Sequence, residues 1–390
     1  MIKVVSLLLL TCSLFAIEYN SDISMKYLTY DKFNDEMTVE GSLGVKFDND
    51  MFKTNIEVEY LYSEGYAQRR YVLLNELYMT KEYKDYKFTI GKTVKFWGEL
   101  EGFNIADVYN QKNYLHDPFN KSNKLGSIGF SLWKYFDENS FEFGAKIYEE
   151  EVDYPSGNSP YNPLTLTYDK ELKLSNQRYT PTLYMGYSFV TDDSVDSENK
   201  IIIIHGYDNK RYFIPSPENT LSQYAYKVNK LLFFSNLIYN DTIFKCELSY
   251  TDVTNKKNIS DYSQLTFGLE KSFYDIADTD LGTYLEYYKY IYMQDGKIEN
   301  VDISEIYDND VFLALKINLN DVRGSEVKAG ILYDMINKEK VFKVNAKSRI
   351  MDGLTLNVEY LQILSSKTET TLLSNIDDST RVVVGLSYSY

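Results

Sequence analysis

The chain has 390 residues, 57 acidic against 41 basic side chains, a formal net charge of −16, 44% hydrophobic content, 38 tyrosines and 2 cysteines. Such acidity repels phosphate and excludes a nucleic-acid binder. The aromatic and apolar content excludes disorder, and so few cysteines exclude a disulfide scaffold.

Met1-Ile2-Lys3 is a short basic start, residues 4–15 are largely apolar, and Ala16 precedes the polar Glu18-Tyr19-Asn20. This order reads as a signal peptide over 1–16, cleaved after Ala16, with 17–390 exported. The apolar run falls short of the ~20 residues that a spanning helix needs.

Beyond it, apolar and polar residues alternate with period two, the signature of strands exposed to different media on their two faces. In chain order the alternating segments are 38–47, 52–62, 71–80, 86–96, 125–135, 140–148, 181–189, 242–250, 265–273, 281–292, 311–319, 324–333, 341–349 and 354–360. Apolar runs at 201–204, 231–234 and 382–384 are too short to cross a membrane as helices. Short polar turns such as Lys84-Asp85, Asp137-Glu138-Asn139, Asn320-Asp321 and Met351-Asp352-Gly353 tolerate the positive φ of tight hairpins. Longer polar stretches lie at 98–123, 152–179, 207–222 and 293–307. The expected fold is all-β: one transmembrane antiparallel up-and-down β-barrel of about 16 strands (range 14–18), with short periplasmic turns and long extracellular loops. No fixed-period motif supports a soluble propeller or sandwich array.

Alternation also assigns faces. Lys53, Glu57, Glu59, Glu76, Tyr78 and Glu247, with Glu270, Lys316, Asn357 and Glu359, oppose apolar neighbours and are expected to line a wet lumen of Lys/Glu pairs. Cys246, between Phe244 and Leu248, is expected on the lipid face. The 98–123 stretch carries Glu99, Glu101, Asp107, His116, Asp117 and Lys121. It is read as a loop folded into the lumen as a constriction, against the plainer reading of an ordered rim loop. Trp97-Gly98 is read as the end of a strand, with the indole at an interface or the rim. The pore-lining and constriction candidates are Glu57, Glu59, Glu76, Lys92 and Lys95, followed by Glu99, Glu101, Asp107, Lys316 and Glu359.

Two histidines, His116 and His205, leave no multi-histidine metal site, so no metal and no cofactor are expected. Pairing His205 with Ser188 or Ser249 would make a lipid-active barrel, although no nucleophile motif supports it. The acidic runs Asp192-Asp193 with Asp196 and Glu198, and Glu149-Glu150-Glu151-Val152-Asp153, are read as solvated loop and rim.

Residues 71–110 contain Asn75-Glu76-Leu77-Tyr78, then Gly91-Lys92, Trp97-Gly98, Gly102-Phe103 and Asp107-Val108-Tyr109-Asn110. This set resembles a motif of porin-like outer-membrane proteins of Gram-negative bacteria, departing from it at Gln111, where proline usually follows the asparagine. At the other end, Val382, Val384, Leu386, Tyr388 and Tyr390 share one face of a last strand that stops on an aromatic. That strand resembles the assembly signal of outer-membrane barrels, with Tyr388 and Tyr390 as its aromatics. The resemblance implies a non-enzymatic, porin-like outer-membrane channel for passive diffusion of small hydrophilic solutes. Its expected partners are outer-membrane lipid, the barrel-assembly machinery, a small-molecule solute and a second copy in a homo-oligomer. The alternatives are a lipid-active barrel enzyme and a surface adhesin or structural barrel without transport.

Overall fold

Residues 16–49, 51–117, 119–162, 167–191, 195–216, 220–254, 259–293, 307–365, 373 and 378–390 are described by the structure, a computed structural model. The leader reading and the Asp192-Asp193 run lie outside these residues, although the first strand begins at Ala16.

Alternating side chains build one continuous wall. Its first strands are β1 (Ala16–Tyr30), β2 (Glu36–Asp48), β3 (Lys53–Ser63), β4 (Tyr71–Tyr83) and β5 (Tyr86–Thr93). After a two-residue hairpin, β6 (Gln111–Lys112) and β7 (Lys124–Leu125), the wall resumes with β8 (Ser127–Phe136) and β9 (Asn139–Lys146). Outside the wall sequence lies β10 (Thr167–Leu174), followed by the wall strands β11 (Thr182–Thr191) and β12 (Asp196–Tyr207). Next come β13 (Tyr212–Pro215) and β14 (Thr220–Ala225), which join β10 in a separate three-stranded sheet. The wall then runs through β15 (Lys227–Tyr239), β16 (Thr242–Val253), β17 (Tyr262–Ile276), β18 (Thr279–Tyr292) and β19 (Asn309–Asn318). It ends with β20 (Glu326–Asp334), β21 (Lys340–Met351), β22 (Leu354–Leu364) and β23 (Ser379–Ser389).

Each wall strand pairs antiparallel with the next, and β23 pairs with β1 from Asp22↔Ser389 to Tyr30↔Arg381, closing an 18-stranded barrel. The expected count of about 16 is therefore low. Alternation in the sequence marks neither β12 nor β15, because residues 201–204 and 231–234 are apolar on both faces. Ile202, Ile204, Leu232 and Phe234 point inward onto a buried cluster with Trp97, Ala106 and Tyr109. A strand apolar on both sides has no period to read. β1, which alternates outer Tyr19, Ile23, Met25 and Tyr27 with polar neighbours, is the other strand that the reading passes over.

The faces agree with the expectation. Ile23, Leu43, Ile90, Ile203, Phe267 and Leu315 are each about half exposed on the outside, an apolar belt of the kind that faces lipid. Cys246 lies on that outer parity. Inside, ion pairs cross the strands: Lys245 to Glu270 at 2.6 Å, Lys316 to Glu326 at 3.0 Å and Lys343 to Glu359 at 3.0 Å. Tight hairpins gather at one end, with positive φ at Lys84, Asp137, Asp278, Asn320 and Gly353. The longer connections emerge at the other end.

One local departure explains part of the motif. Glu57 pairs with Glu76 while Val58 pairs with Leu74, so Asn75 is the extra residue of a β-bulge in β4. The bulge flips the parity: Val72 and Leu74 are exposed outside before it, Leu77 and Met79 after it. Asn75 and Glu76 consequently both serve the interior.

Candidate functional site

Between β5 and β8 the chain enters the barrel interior and runs along its inner wall. It turns in at Lys95, whose backbone N–H donates to Asn110 Oδ1 at 2.7 Å and whose ammonium donates to Glu142 Oε1 (2.5 Å) and Tyr184 OH (2.6 Å) on β9 and β11. Trp97 follows, 4% exposed and edge-on to Tyr184. The indole is thus buried inside instead of capping the rim, and β5 stops at Thr93. From Gly98 to Asp107 the backbone lies against β16–β18. The N–H groups of Glu99 and Ala106 donate to Glu247 (2.8 and 2.9 Å), and those of Glu101 and Gly102 donate to Glu286 (2.6 and 2.9 Å). The Phe103 N–H donates to Tyr288 OH at 2.9 Å, and the Leu100 N–H is capped by Asn104 Oδ1 at 2.6 Å.

The segment then crosses to the opposite arc. Asp117 accepts from Arg381 on β23 at 2.8 Å and lies 3.8 Å from Lys343 on β21. His116 Nε2 is 3.3 Å from Glu40 on β2, and Arg69 donates to the Leu115 carbonyl at 3.1 Å. Asn75, freed by its bulge, accepts from the Gly126 N–H at 2.7 Å and donates to the Lys124 carbonyl at 3.0 Å. The motif residues act here as joints: Asn75 and Glu76 hold the two ends of the segment, since Glu76 accepts from the Val94 N–H at 3.0 Å. Asn110 donates to the carbonyls of Thr93 and Leu125, both at 2.9 Å. Gly91, at φ +134°, lets β5 pass where a Cβ would stand 2.2 Å from the Leu77 carbonyl oxygen.

The sequence candidates separate into groups. Glu59 accepts from Asn75 at 2.6 Å, Lys92 lies 3.8 Å from Glu150, and Glu57 stands across from Glu76. Glu76 and Lys95 line a cavity of about 640 Å³ on the β2–β5 and β8 side. Glu101 pairs with Lys328, and Glu359 pairs with Lys343 and Arg381; both carboxylates line a second cavity of about 370 Å³ against β19–β22. Asp107 pairs with Lys124 and receives the Trp97 N–H at 3.2 Å. Lys316 is on the wall with Glu326. The Glu99 side chain is exposed and only its backbone anchors. Glu286, Lys328, Lys343 and Arg381 escaped the sequence reading. Their signal was available as charge at inward parity among apolar neighbours, as in Tyr284-Leu285-Glu286-Tyr287-Tyr288.

Burial sets the electrostatics of the inward segment. It pushes the Lys112 ammonium down to about 8 and moves Asp107 up and Lys124 down against their mutual attraction. Burial also opposes charge on Asp117, yet the Arg381 guanidinium and Lys343 hold its carboxyl well below the usual range. Lys112 lines a cavity of about 90 Å³ together with Lys121, Lys124 and Lys210.

Two further readings change. Glu149 is buried against Arg211 and 2.8 Å from Lys146, so the acidic run 149–153 begins as an interior anchor, not a solvated rim. His205 shares the exposed outer parity of Ile201 and Ile203 and contacts Asn229 Oδ1 at 2.7 Å. Ser249 is buried on the inner face, and Ser188 has the inward parity of Tyr184. The wall separates the histidine from both serines, so the structure does not assemble the lipid-active site.

No family model and no curated protein matches the sequence. The architecture nevertheless matches solved outer-membrane porins along nearly its whole length. OccAB4 of Acinetobacter baumannii aligns with a TM-score of 0.58 at 10% identity, covering 96% of this chain and 98% of that one. OccK8 (OprE) of Pseudomonas aeruginosa aligns at 0.57 and 10% identity, covering 96% and 98%. OpdK of Pseudomonas aeruginosa, solved with vanillate, aligns at 0.56 and 9% identity, again covering 96% and 98%. At these identities the likeness is one of fold.

Proposed function

We propose that this chain is a porin-like channel of the outer membrane, passing small hydrophilic solutes by passive diffusion, with the 98–123 loop as its constriction. The observation that carries the reading is the inward segment itself, fastened to the inner wall inside a closed barrel with an apolar outer belt. A barrel serving only as an outer surface has no use for such a constriction, whereas selection by size and charge needs one. Charges of both signs beside cavities of about 640 and 370 Å³ support a hydrated path. The fold shared with outer-membrane porins supports the location, and residues 1–16 act as the cleaved export signal. Lipid surrounds the belt, and the barrel-assembly machinery reads the last strand through Tyr388 and Tyr390.

The test is reconstitution of the purified, refolded protein in planar lipid bilayers with salt gradients. Discrete, ohmic conductance steps are expected, with Glu101→Gln and Lys328→Met shifting ion selectivity in opposite directions. A folded, inserted barrel that passes no current overturns the reading.

A further inference from the structure

Glu247 and Glu286 are buried carboxylates, 0% and 2% exposed, and neither has an ion-pair partner among the described residues. Their cross-strand neighbours are Phe234 and Thr266 for Glu247, and Gly268 and Phe312 for Glu286, so no cation stands opposite either one. Buried charge without a counter-charge persists only when hydrogen bonds satisfy it. Here the inward segment gives each carboxyl two backbone N–H donors, and Tyr288 OH on the same strand also donates to Glu286. The wall supplies the acceptor oxygens and the loop supplies a row of backbone amides that close on them.

The fit extends to residues that carry no charge. Gly98, at φ +101°, has no room for a Cβ, which would lie 2.4 Å from Glu247 Oε1. At Gly102 a Cβ would lie 2.7 Å from Tyr288 OH and 3.0 Å from Glu286 Oε2. Between the two carboxylates Leu100 is inserted over Gly268, where a Cβ would stand 2.8 Å from its Cδ2. Both glycines of the Trp97-Gly98 and Gly102-Phe103 motif pairs are thereby explained by close approach to one wall carboxylate each.

We propose that Glu247 and Glu286 are the positioning residues of the pore: by fastening segment 98–106 to β16–β18 they set its open cross-section, without lining the solute path themselves. The proposal rests on the channel reading above. It also makes a claim about the loop that can be judged when no current is measured.

The experiment compares wild type with Glu247→Gln, Glu286→Gln, the double variant and Glu286→Asp, each refolded in detergent. Hydrogen exchange is followed by mass spectrometry on peptides covering 98–106 and β16–β18, and single-channel conductance is recorded in bilayers. Glutamine keeps the shape but turns an amide N–H toward backbone donors, so amide protection over 98–106 should fall about 10–100-fold while β16–β18 stay protected. Conductance and its noise should rise together in the double variant, and Glu286→Asp, which keeps the charge, should lie nearer wild type than Glu286→Gln. Should the double variant fail to fold, Gly102→Ala leaves the wall intact and should loosen the same amides. A hold by Leu100 packing alone predicts that the glutamine variants match wild type in protection and conductance, and that result overturns the proposal. A silent wild type with the expected exchange pattern would remove the channel reading and leave the fastening standing.

Discussion

The strictest test of the barrel is a pair of arginines two strands apart, in one register, on opposite faces of the wall. Leu315 is 45% exposed on the outside of β19, in register with Thr283 and Ala329. Ala329 in turn pairs with Val344, so the neighbouring Asn345 lies two strands along in the same register but faces inward, between Lys328 and Glu359. An arginine on the lipid face near the midplane costs about 2–4 kcal/mol. Leu315→Arg should therefore lower the folding equilibrium about 30- to 700-fold. At 345 a new guanidinium gains Glu359 and meets Lys328 beside a 370 Å³ cavity, so Asn345→Arg should cost about 1 kcal/mol or less, as for solvated charge pairs. The assay is urea titration of the folded fraction in lipid vesicles, read by the altered gel mobility of unheated barrels. Equal destabilisation of the two variants, or a larger loss at 345, would mean that the outer belt does not face lipid. Phe312→Arg does not serve as the inner control, because Phe312 packs on the cluster containing Leu100 under the inward segment.

Two further outcomes are expected. Tyr390 exchanges backbone hydrogen bonds with Ser21 at 2.9 and 3.0 Å, extending the β1–β23 seam; deleting it or changing it to Asp should reduce assembled barrel in membrane fractions more than Ser389→Ala, and equal yields would remove its role as a signal. Lys112, pushed down to about 8 by burial, should lose its charge between pH 7 and 9; selectivity should move toward cations over that range in wild type and stay flat in Lys112→Met, as read from reversal potentials.

What the sequence discloses follows from what each face must dissolve in. Where lipid lies on one side and water on the other, alternation is strict, and β17, β19 and β22 are legible residue by residue. Where the inner face meets the inward segment, the contrast vanishes: Ile202 and Leu232 are as apolar as their lipid-facing neighbours because they pack beneath Trp97 and Ala106. The same contact hid two strands and the fate of the indole. For the site, alternation placed Glu247 and Glu359 inside, and composition marked 98–123 as unusual. The segment meets the wall through pairings 141 to 264 positions apart along the chain, which local pattern does not encode. Glu286 was passed over because, among so many tyrosines, an isolated acid reads as one more polar strand residue.

The seam between β1 and β23 imposes an order in time. Ser24 and Ser387 meet across 363 positions of chain, whereas every other pairing in the wall joins strands that follow one another along the chain within the wall. Gathering such distant ends from a free chain costs roughly 5 kcal/mol in closure entropy alone, scaling as (3/2)RT ln n. Hairpins therefore zip early and the seam forms last. Until then β1 and β23 each present an unpaired edge, a template for joining other chains. The slow step thus belongs to the joint itself, and a permuted chain opened at the Asn240-Asp241 turn would keep the same wall while moving that joint to β15 and β16.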